Sequence, residues 1–147
     1  MGPPRAPQAA TWRTSKISAT LAEFGTPLLV QLPSGAGQRL REASFEFIIH
    51  IWNAHVLAMP VWGQPEILAR TRAGLTRDSD ASPAPREILQ AFEMLSAQRA
   101  RAPFADDPRA IGNWSVRMID AVHCKLHCDA RLPPTLRAPQ TGSPVIE

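Results

Sequence analysis

The first half of the chain carries apolar residues at helical spacing. Five of them follow at steps of three and four, which places them on one helix face: Ile17, Leu21, Phe24, Leu28 and Leu32. Gly25 and Pro27 interrupt this spacing. The pattern therefore predicts a helix that ends near Phe24 and a short second helix with Thr26 as its cap, followed by a loop over 32–37.

The segment from about Gln38 to Met59 is the most apolar predicted helix. It carries two apolar stripes, one made of Leu40, Ala43, Phe47, Ile51, Ala54 and Ala58 and the other of Phe45, Ile49, Trp52 and Val56. A helix that is apolar on two sides is typically central. We therefore expect neighbouring elements to cover this helix on more than one side.

Two shorter helices are predicted next. The third starts at 64–66 and can end at Gly74, because glycine is the commonest residue after a helix C-terminus. A polar loop over 76–85 separates it from a fourth helix, which runs from about Arg86 to Ala102.

The last predicted element is a β-hairpin. Six small or apolar residues alternate with polar ones in its second strand: Val122, Cys124, Leu126, Cys128, Ala130 and Leu132. Helical spacing fits only four positions from Met118 onwards, so the alternation favours a strand with one wet face. The first strand is predicted over Ile111 to Met118, with the turn at 119–121. The fold class is therefore α+β, a small core of about four helices followed by a C-terminal antiparallel β-hairpin.

Composition limits the domain organisation. The chain has 147 residues, the length of one domain, and 15 prolines concentrated towards its ends. We expect a single domain over 15–132 between disordered tails at 1–14 and 133–147. No apolar run reaches the roughly 20 residues of a membrane helix, and no leader is recognised, so a cytoplasmic location is expected. The two cysteines, Cys124 and Cys128, are expected to be free thiols.

Charge gives little support to nucleic-acid binding. Lys and Arg total 16 against 13 Asp and Glu, a net charge of +3. The predominance of Arg over Lys, with abundant Ala and Pro, is typical of a GC-rich bacterial genome. Five arginines could share a basic face, namely Arg99, Arg101, Arg109, Arg117 and Arg131, but Asp106, Asp107, Asp120 and Asp129 are interleaved with them. Interleaved charge is more typical of a solvated surface.

Candidate catalytic and metal-binding residues are few. Glu46 and His50 lie one helical turn apart, the spacing at which a carboxylate can orient an imidazole. His123 and His127 accompany the two cysteines, but on a strand residues four apart are separated by about 13 Å, too far to share one metal ion. The catalytic residues are thus unassigned, and neither a metal nor a cofactor is expected.

The candidate binding residues lie in two segments, one on the second long helix and the other before the hairpin. They are Trp52, Asn53, Arg99, Phe104, Asp107 and Arg109. Aromatic residues beside Asp and Arg at a helix-to-strand junction can anchor a partner protein, and they can equally fix the junction to the core.

The same segments carry a resemblance. The chain has Pro-Leu-Leu at 27–29, Trp-Asn at 52–53, and Phe-x-x-Asp-x-Arg-x-Ile from Phe104 onwards. In these motifs it resembles a group of small bacterial proteins of unknown function over residues 20–132. The group is more basic immediately before the Phe than this chain, which has Ala-Pro there. The resemblance implies the same order of elements and adds no catalytic residue.

These observations favour a non-enzymatic accessory or adaptor protein. A short hairpin with exposable edges can pair with another protein, which is the partner we expect, and no catalytic signature is present. Two alternatives come from other classes: a small metal- or His-dependent hydrolase using Glu46 and His50 or His123 and His127, and a nucleic-acid-binding module using the arginines. The oligomeric state is not predicted.

Overall fold

The computed structural model describes residues 16–33, 35–78, 85–120 and 123–133. Within them the chain forms five helices followed by two strands. These are α1 (Ile17–Phe24), α2 (Thr26–Leu29), α3 (Gln38–Ala58), α4 (Ile67–Asp78), α5 (Pro85–Arg99), β1 (Ala110–Met118) and β2 (Cys124–Arg131). The predicted α+β class, with a helical core before a C-terminal antiparallel hairpin, is confirmed.

Helix α3 is the centre of the molecule, and it contacts α1, α4, α5 and β1. Its 21 residues give it a length of about 30 Å. The predicted second stripe is fully buried: Phe45, Ile49, Trp52 and Val56. The apolar residues of α1 pack against this stripe, as their helical spacing predicted.

The predicted first stripe of α3 is covered only in part. Ile51 and Ala54 are buried, whereas Ala43 is exposed, Phe47 is half-buried and 43% of Leu40 is exposed. Helix α3 thus has neighbours on more than one side, as expected, but the described elements leave the N-terminal half of the first stripe partly exposed. Periodicity shows which side of a helix is apolar, but not whether another element is long enough to reach it.

Helix boundaries differ from prediction at three places. Gly25, rather than Thr26, caps α2, and the Thr26 hydroxyl donates to the Ala22 carbonyl at 2.9 Å. Helix α4 continues through Gly74 to Asp78, because a glycine within a helix costs only about 1 kcal/mol relative to alanine. Helix α5 ends at Arg99, three residues earlier than predicted.

The close approach of α1 and α3 requires Gly25 to lack a side chain. A Cβ atom there would lie 2.5 Å from Cδ1 of Ile48, which is fully buried. The glycine thus allows the turn between α1 and α2 to pack directly on α3.

The hairpin pairs as predicted, with one irregularity. Ile111 lies opposite Ala130 and Trp114 opposite Cys128, so β1 has one extra residue at this point, a β-bulge. Since side chains alternate along a strand, the extra residue keeps both Ile111 and Trp114 on the face that packs against the helices. The bulge was not visible in the alternation of the sequence.

Two side-chain amides of α3 hold the outer edge of β1. Asn53 donates to the Ile111 carbonyl at 3.1 Å and accepts from the Ile111 amide at 2.7 Å. Gln38 donates to the Val116 carbonyl at 2.6 Å and accepts from the Met118 amide at 3.0 Å. Each amide therefore replaces a neighbouring strand at one position, and β1 runs antiparallel to α3.

The outer edge of β2 is held at one point by α1. The Cys128 amide donates to Oγ of Ser18 at 3.0 Å. The hairpin edges that the sequence predicted as docking surfaces are thus occupied at several positions by side chains of the same chain.

Outside the described residues lie the predicted tail at 1–14, residues 134–147 of the predicted tail at 133–147, and Val122, which the alternation placed in the second strand. Pro133, at the predicted start of the C-terminal tail, is buried. None of the described helices has the length and apolar character needed to cross a membrane.

Candidate functional site

All six predicted binding residues meet at the junction between α5 and β1. We call this set the junction cluster: Trp52, Asn53, Arg99, Phe104, Asp107 and Arg109. Its members come from α3, from the end of α5 and from the segment 100–111. Five of them are buried and Asn53 is half-buried.

Three aromatic rings form the apolar part of this junction. Trp52 lies edge-on to Phe24, with ring centroids 5.1 Å apart, and edge-on to Phe104 at 6.2 Å. Phe24 and Phe104 are themselves 5.7 Å apart in the same type of arrangement. Edge-to-face contacts are the favoured geometry of aromatic pairs and add to the free energy of burial.

An ion pair forms the polar part of the junction. Asp107 accepts from Nη2 of Arg109 at 2.7 Å and from its Nε at 3.0 Å, while both side chains are about 95% buried. Nη2 of Arg109 also donates to the Thr20 hydroxyl on α1 at 3.1 Å. The pair therefore links the segment before β1 to the first helix.

Arg99 adds a second buried cation. Its guanidinium carbon lies 4.5 Å from the ring centroid of Trp52, and Nη2 donates to the Asp107 carbonyl at 2.6 Å. Nε and Nη1 are buried without a hydrogen-bond partner in the described structure. Burial lowers the pKa of Arg99 to about 10, against the opposing effect of Asp107 and Asp106. The face of Trp52 stabilises the charge that burial disfavours.

Two indole nitrogens hold the segment that enters β1. Trp52 donates to the Arg109 carbonyl at 2.7 Å, and Trp62 donates to the Pro108 carbonyl at 2.9 Å. Together with Asn53 on Ile111, they satisfy backbone groups of three of the four residues in 108–111. This geometry fits the interpretation that the cluster fixes the junction to the core, because its buried side chains do not reach the surface in this conformation.

Glu46 and His50 are exposed on α3. Within the part of the chain that the structure describes, neither side chain has a hydrogen-bond or ion-pair partner. The structure therefore does not bring the predicted carboxylate and imidazole together.

His123 and His127 are also exposed, and each pairs with a different carboxylate. His123 lies 3.0 Å from Asp120, and His127 lies 3.4 Å from Asp129. Among the residues that the structure describes, no group of three or more His, Cys, Asp or Glu could hold a metal ion. The strand places Cys124 and Cys128 on the other face as free thiols, as predicted. Burial raises the pKa of the Cys128 thiol to about 11.

His55 has a polar contact that the sequence did not show. Its Nε2 lies 2.8 Å from the Ser96 hydroxyl on α5, and its ring stacks on Phe92. Burial, and to a lesser extent the charge of Arg99, lowers the pKa of His55 to about 4. The imidazole is therefore neutral in the folded protein and joins α3 to α5.

This pKa predicts a loss of stability in mild acid. An unfolded His55 binds a proton below about pH 6.5, whereas the folded one does so only near pH 4. The free energy of unfolding should therefore fall as the pH drops through this window. Urea unfolding at pH 7.5 and pH 4.5 measures the fall, which should be larger in the wild type than in His55→Gln. An equal fall in both proteins would contradict the assignment, since the other three histidines are the same in each.

A surface groove lies on the uncovered side of α3. It has a volume of about 640 Å³ between α2, α3 and α5. Its lining is mainly apolar, with polar groups at intervals: Leu28, Gln31, Ala43, Ser44, Phe47, Glu87, Ile88, Gln90, Ala91 and Met94. The groove exists because no element of the described residues covers the N-terminal half of the first α3 stripe.

Exposed apolar side chains lie on the elements that border the groove. Val30, which follows α2, is 70% exposed, and Leu40 in the first turn of α3 is 43% exposed. Of the described residues, the remaining large apolar side chain with comparable exposure is Ile119, after β1. A mainly apolar groove, with further exposed apolar side chains on the same elements, is characteristic of an interaction surface. The sequence pattern showed Leu40, Ala43 and Phe47 as part of an apolar stripe, but a stripe does not show which of its residues other elements cover.

No protein-family model, no curated protein and no solved structure matches the chain. The resemblance to small bacterial proteins of unknown function therefore stays a prediction.

Proposed function

We propose that the protein is a non-enzymatic accessory or adaptor protein of the cytoplasm that binds another protein through the groove between α2, α3 and α5. The observation that carries the proposal is the uncovered stripe of α3, where Leu40, Ala43 and Phe47 retain exposed surface. When a partner covers exposed apolar residues, their removal from water contributes favourably to the free energy of binding.

The shape of the groove favours a helix as its occupant. Two of the helices that line it, α3 and α5, contribute residues spaced by three or four positions. These are Ala43 and Phe47 on α3 and Ala91 and Met94 on α5. Side chains of a third helix can fit between such ridges. The small residues Ala43, Ser44 and Ala91 leave room for a backbone to approach closely.

The lining also indicates the chemistry of that helix. Ala43 and Phe47 span about 6 Å along α3, and with Leu40 the open stripe is about two turns long. A matching partner presents two or three apolar side chains at i, i+3 or i+4, and i+7. Among the described lining residues the carboxylate belongs to Glu87, so a basic residue beside the apolar face complements the groove.

The hydrolase alternative receives less support. Glu46 and His50 have no described contact with each other, and the histidines of β2 are paired with separate carboxylates. Ser96 and His55 are within hydrogen-bond distance, but no carboxylate is among the described partners of this imidazole. The proposal therefore rests on the groove.

Photo-crosslinking in the native host tests this proposal. A benzophenone amino acid at Ala43 lies in the groove, and the same group at Ala69, which is exposed on α4, is the control position. After nuclease treatment, mass spectrometry identifies the segment attached to each site. We expect Ala43 to capture one defined protein through an amphipathic helical segment with a basic flank.

A matched pair of variants on α5 shows whether the groove is responsible. Ala91→Glu places a charge in the groove, while Ala97→Glu makes the same change at an exposed position of the same helix. Capture at Ala43 should fall at least about tenfold with the first variant and stay unchanged with the second. Equal capture at Ala69, no capture, or capture of a second copy of this chain would overturn the proposal.

A further inference from the structure

The outward face of the hairpin carries several polar and cationic side chains. We call it the ribbon face: Asn113, Ser115, Arg117, Lys125, His127, Asp129 and Arg131, all of them exposed. Three members are permanent cations. This face is a separate surface from the groove, which is lined by α2, α3 and α5.

Two of the cations lie side by side. In the strand register Arg117 is directly opposite Lys125. Like charges at such positions are destabilising. Within the described residues neither has a hydrogen-bond or ion-pair partner, so no carboxylate of the described chain offsets the repulsion.

The third cation is positioned by a glycine. A Cβ atom on Gly112 would lie 2.8 Å from Cδ of Arg131 and 3.2 Å from its Cγ. The aliphatic part of Arg131 therefore lies across β1 in the space that Gly112 leaves. Arg131 is six residues from Lys125 along β2, so the positive charges extend over about 20 Å.

The structure also changes the interpretation of the interleaved aspartates. Asp107 is buried in its ion pair with Arg109, and Asp120 is paired with His123 at 3.0 Å. Asp129 lies 3.4 Å from His127. Asp107 and Asp120 are thus placed beside other groups than the three cations, whereas Asp129 lies on the ribbon face itself, two residues from Arg131. Arg99 and Arg109 are buried as well, so the basic surface differs from the one that the sequence indicated.

We propose that the ribbon face binds the phosphate backbone of duplex nucleic acid. The cations extend over about 20 Å of an exposed face, which is long enough to contact several phosphates of one strand, since these are about 3.4 Å apart along the helix axis. Arg117, Lys125 and Arg131 neutralise phosphates, while Ser115 and Asn113 between them supply hydrogen-bond donors. Binding through these groups is independent of base sequence, and it does not depend on the groove.

Fluorescence anisotropy of a labelled DNA duplex of about 24 base pairs, with the full chain, tests the proposal. The association constant should fall when the salt concentration is raised from about 20 mM to about 200 mM. A plot of its logarithm against the logarithm of the salt concentration should have a slope of about −3, as expected for three phosphate contacts. Arg117→Glu with Lys125→Glu should weaken binding at least about tenfold. The control, Arg70→Glu with Arg72→Glu, makes the same charge change on exposed residues of α4 and should leave a far smaller effect.

Three outcomes would overturn the proposal. One is no binding at the lowest salt concentration, and another is an equal loss in the control variant. The third is tighter binding to anionic phospholipid vesicles than to the duplex, with that binding reduced by Ile119→Ser. Ile119 is exposed next to β1 and can insert into a lipid surface, so this result would assign the cations to a membrane instead. Each variant is first checked for its circular dichroism spectrum and melting temperature.

Discussion

Replacing Trp52 with alanine is expected to lower the free energy of unfolding by about 3–5 kcal/mol. Trp52 has no exposed surface, and its ring contacts both Phe24 and Phe104. The substitution leaves a cavity at the point where α1, α3 and the segment before β1 meet, and it removes the ring beneath Arg99. Urea denaturation followed by circular dichroism measures the change.

A conservative variant separates packing from hydrogen bonding. Trp52→Phe keeps an aromatic ring but leaves the buried Arg109 carbonyl without its indole donor, which costs about 1–3 kcal/mol in addition to lost packing. Trp62→Phe is the control, because Trp62 makes the same type of bond to Pro108 from a half-buried position. A smaller effect at Trp52 than at Trp62 would show that the junction is not the best-packed part of the core.

Replacing Asp107 with alanine should destabilise the protein by about 3–5 kcal/mol. The change leaves the guanidinium of Arg109 buried without its carboxylate, and Arg99 loses a nearby negative charge. A buried cation costs more free energy when the carboxylate that compensates its charge is removed. Urea unfolding at neutral pH measures this effect too.

The exposed ion pair between Arg72 and Glu93 is the control for Asp107. Its atoms approach to 3.0 Å, but both side chains are more than half exposed, so Glu93→Ala should change the free energy of unfolding by only about 0–1 kcal/mol. Adding Arg109→Met to Asp107→Ala should restore part of the lost stability, since it removes the buried cation that has lost its carboxylate. The two single variants, Asp107→Ala and Arg109→Met, each lose some stability relative to the wild type. If the loss in the double variant equalled the sum of these two losses, the ion pair would not be the reason for the effect of Asp107→Ala.

The two proposed surfaces lie on opposite sides of α3. Gln38 and Asn53 contact β1, whereas Ala43 and Phe47 line the groove. At about 100° per residue, Gln38 and Phe47 point in opposite directions. A substitution in the groove therefore leaves the hairpin contacts in place, and the two proposals can fail separately.

The junction cluster shows how far the sequence alone could lead. The sequence indicated that Trp52, Asn53, Phe104 and Asp107 belong to one set. Aromatic, amide and charged residues are unusual in or beside an apolar helix and strand. The sequence does not show whether these side chains face a partner protein or the core of the same chain, because that depends on how the elements pack. Thr20 and Trp62 escaped notice, since a single hydroxyl or indole has no periodic signal.

Local patterns in the sequence determined the order of the helices and the hairpin. Helical spacing and strict alternation report which side of an element is apolar, and both were sufficient to identify α1, α3 and β2. Only the tertiary structure decided that α3 keeps half a stripe uncovered, that a bulge holds Ile111 and Trp114 on one face, and that Arg117 lies opposite Lys125. These features depend on the lengths of neighbouring elements and on strand register. Both arise from contacts between residues far apart in the chain, which a pattern of near neighbours does not contain.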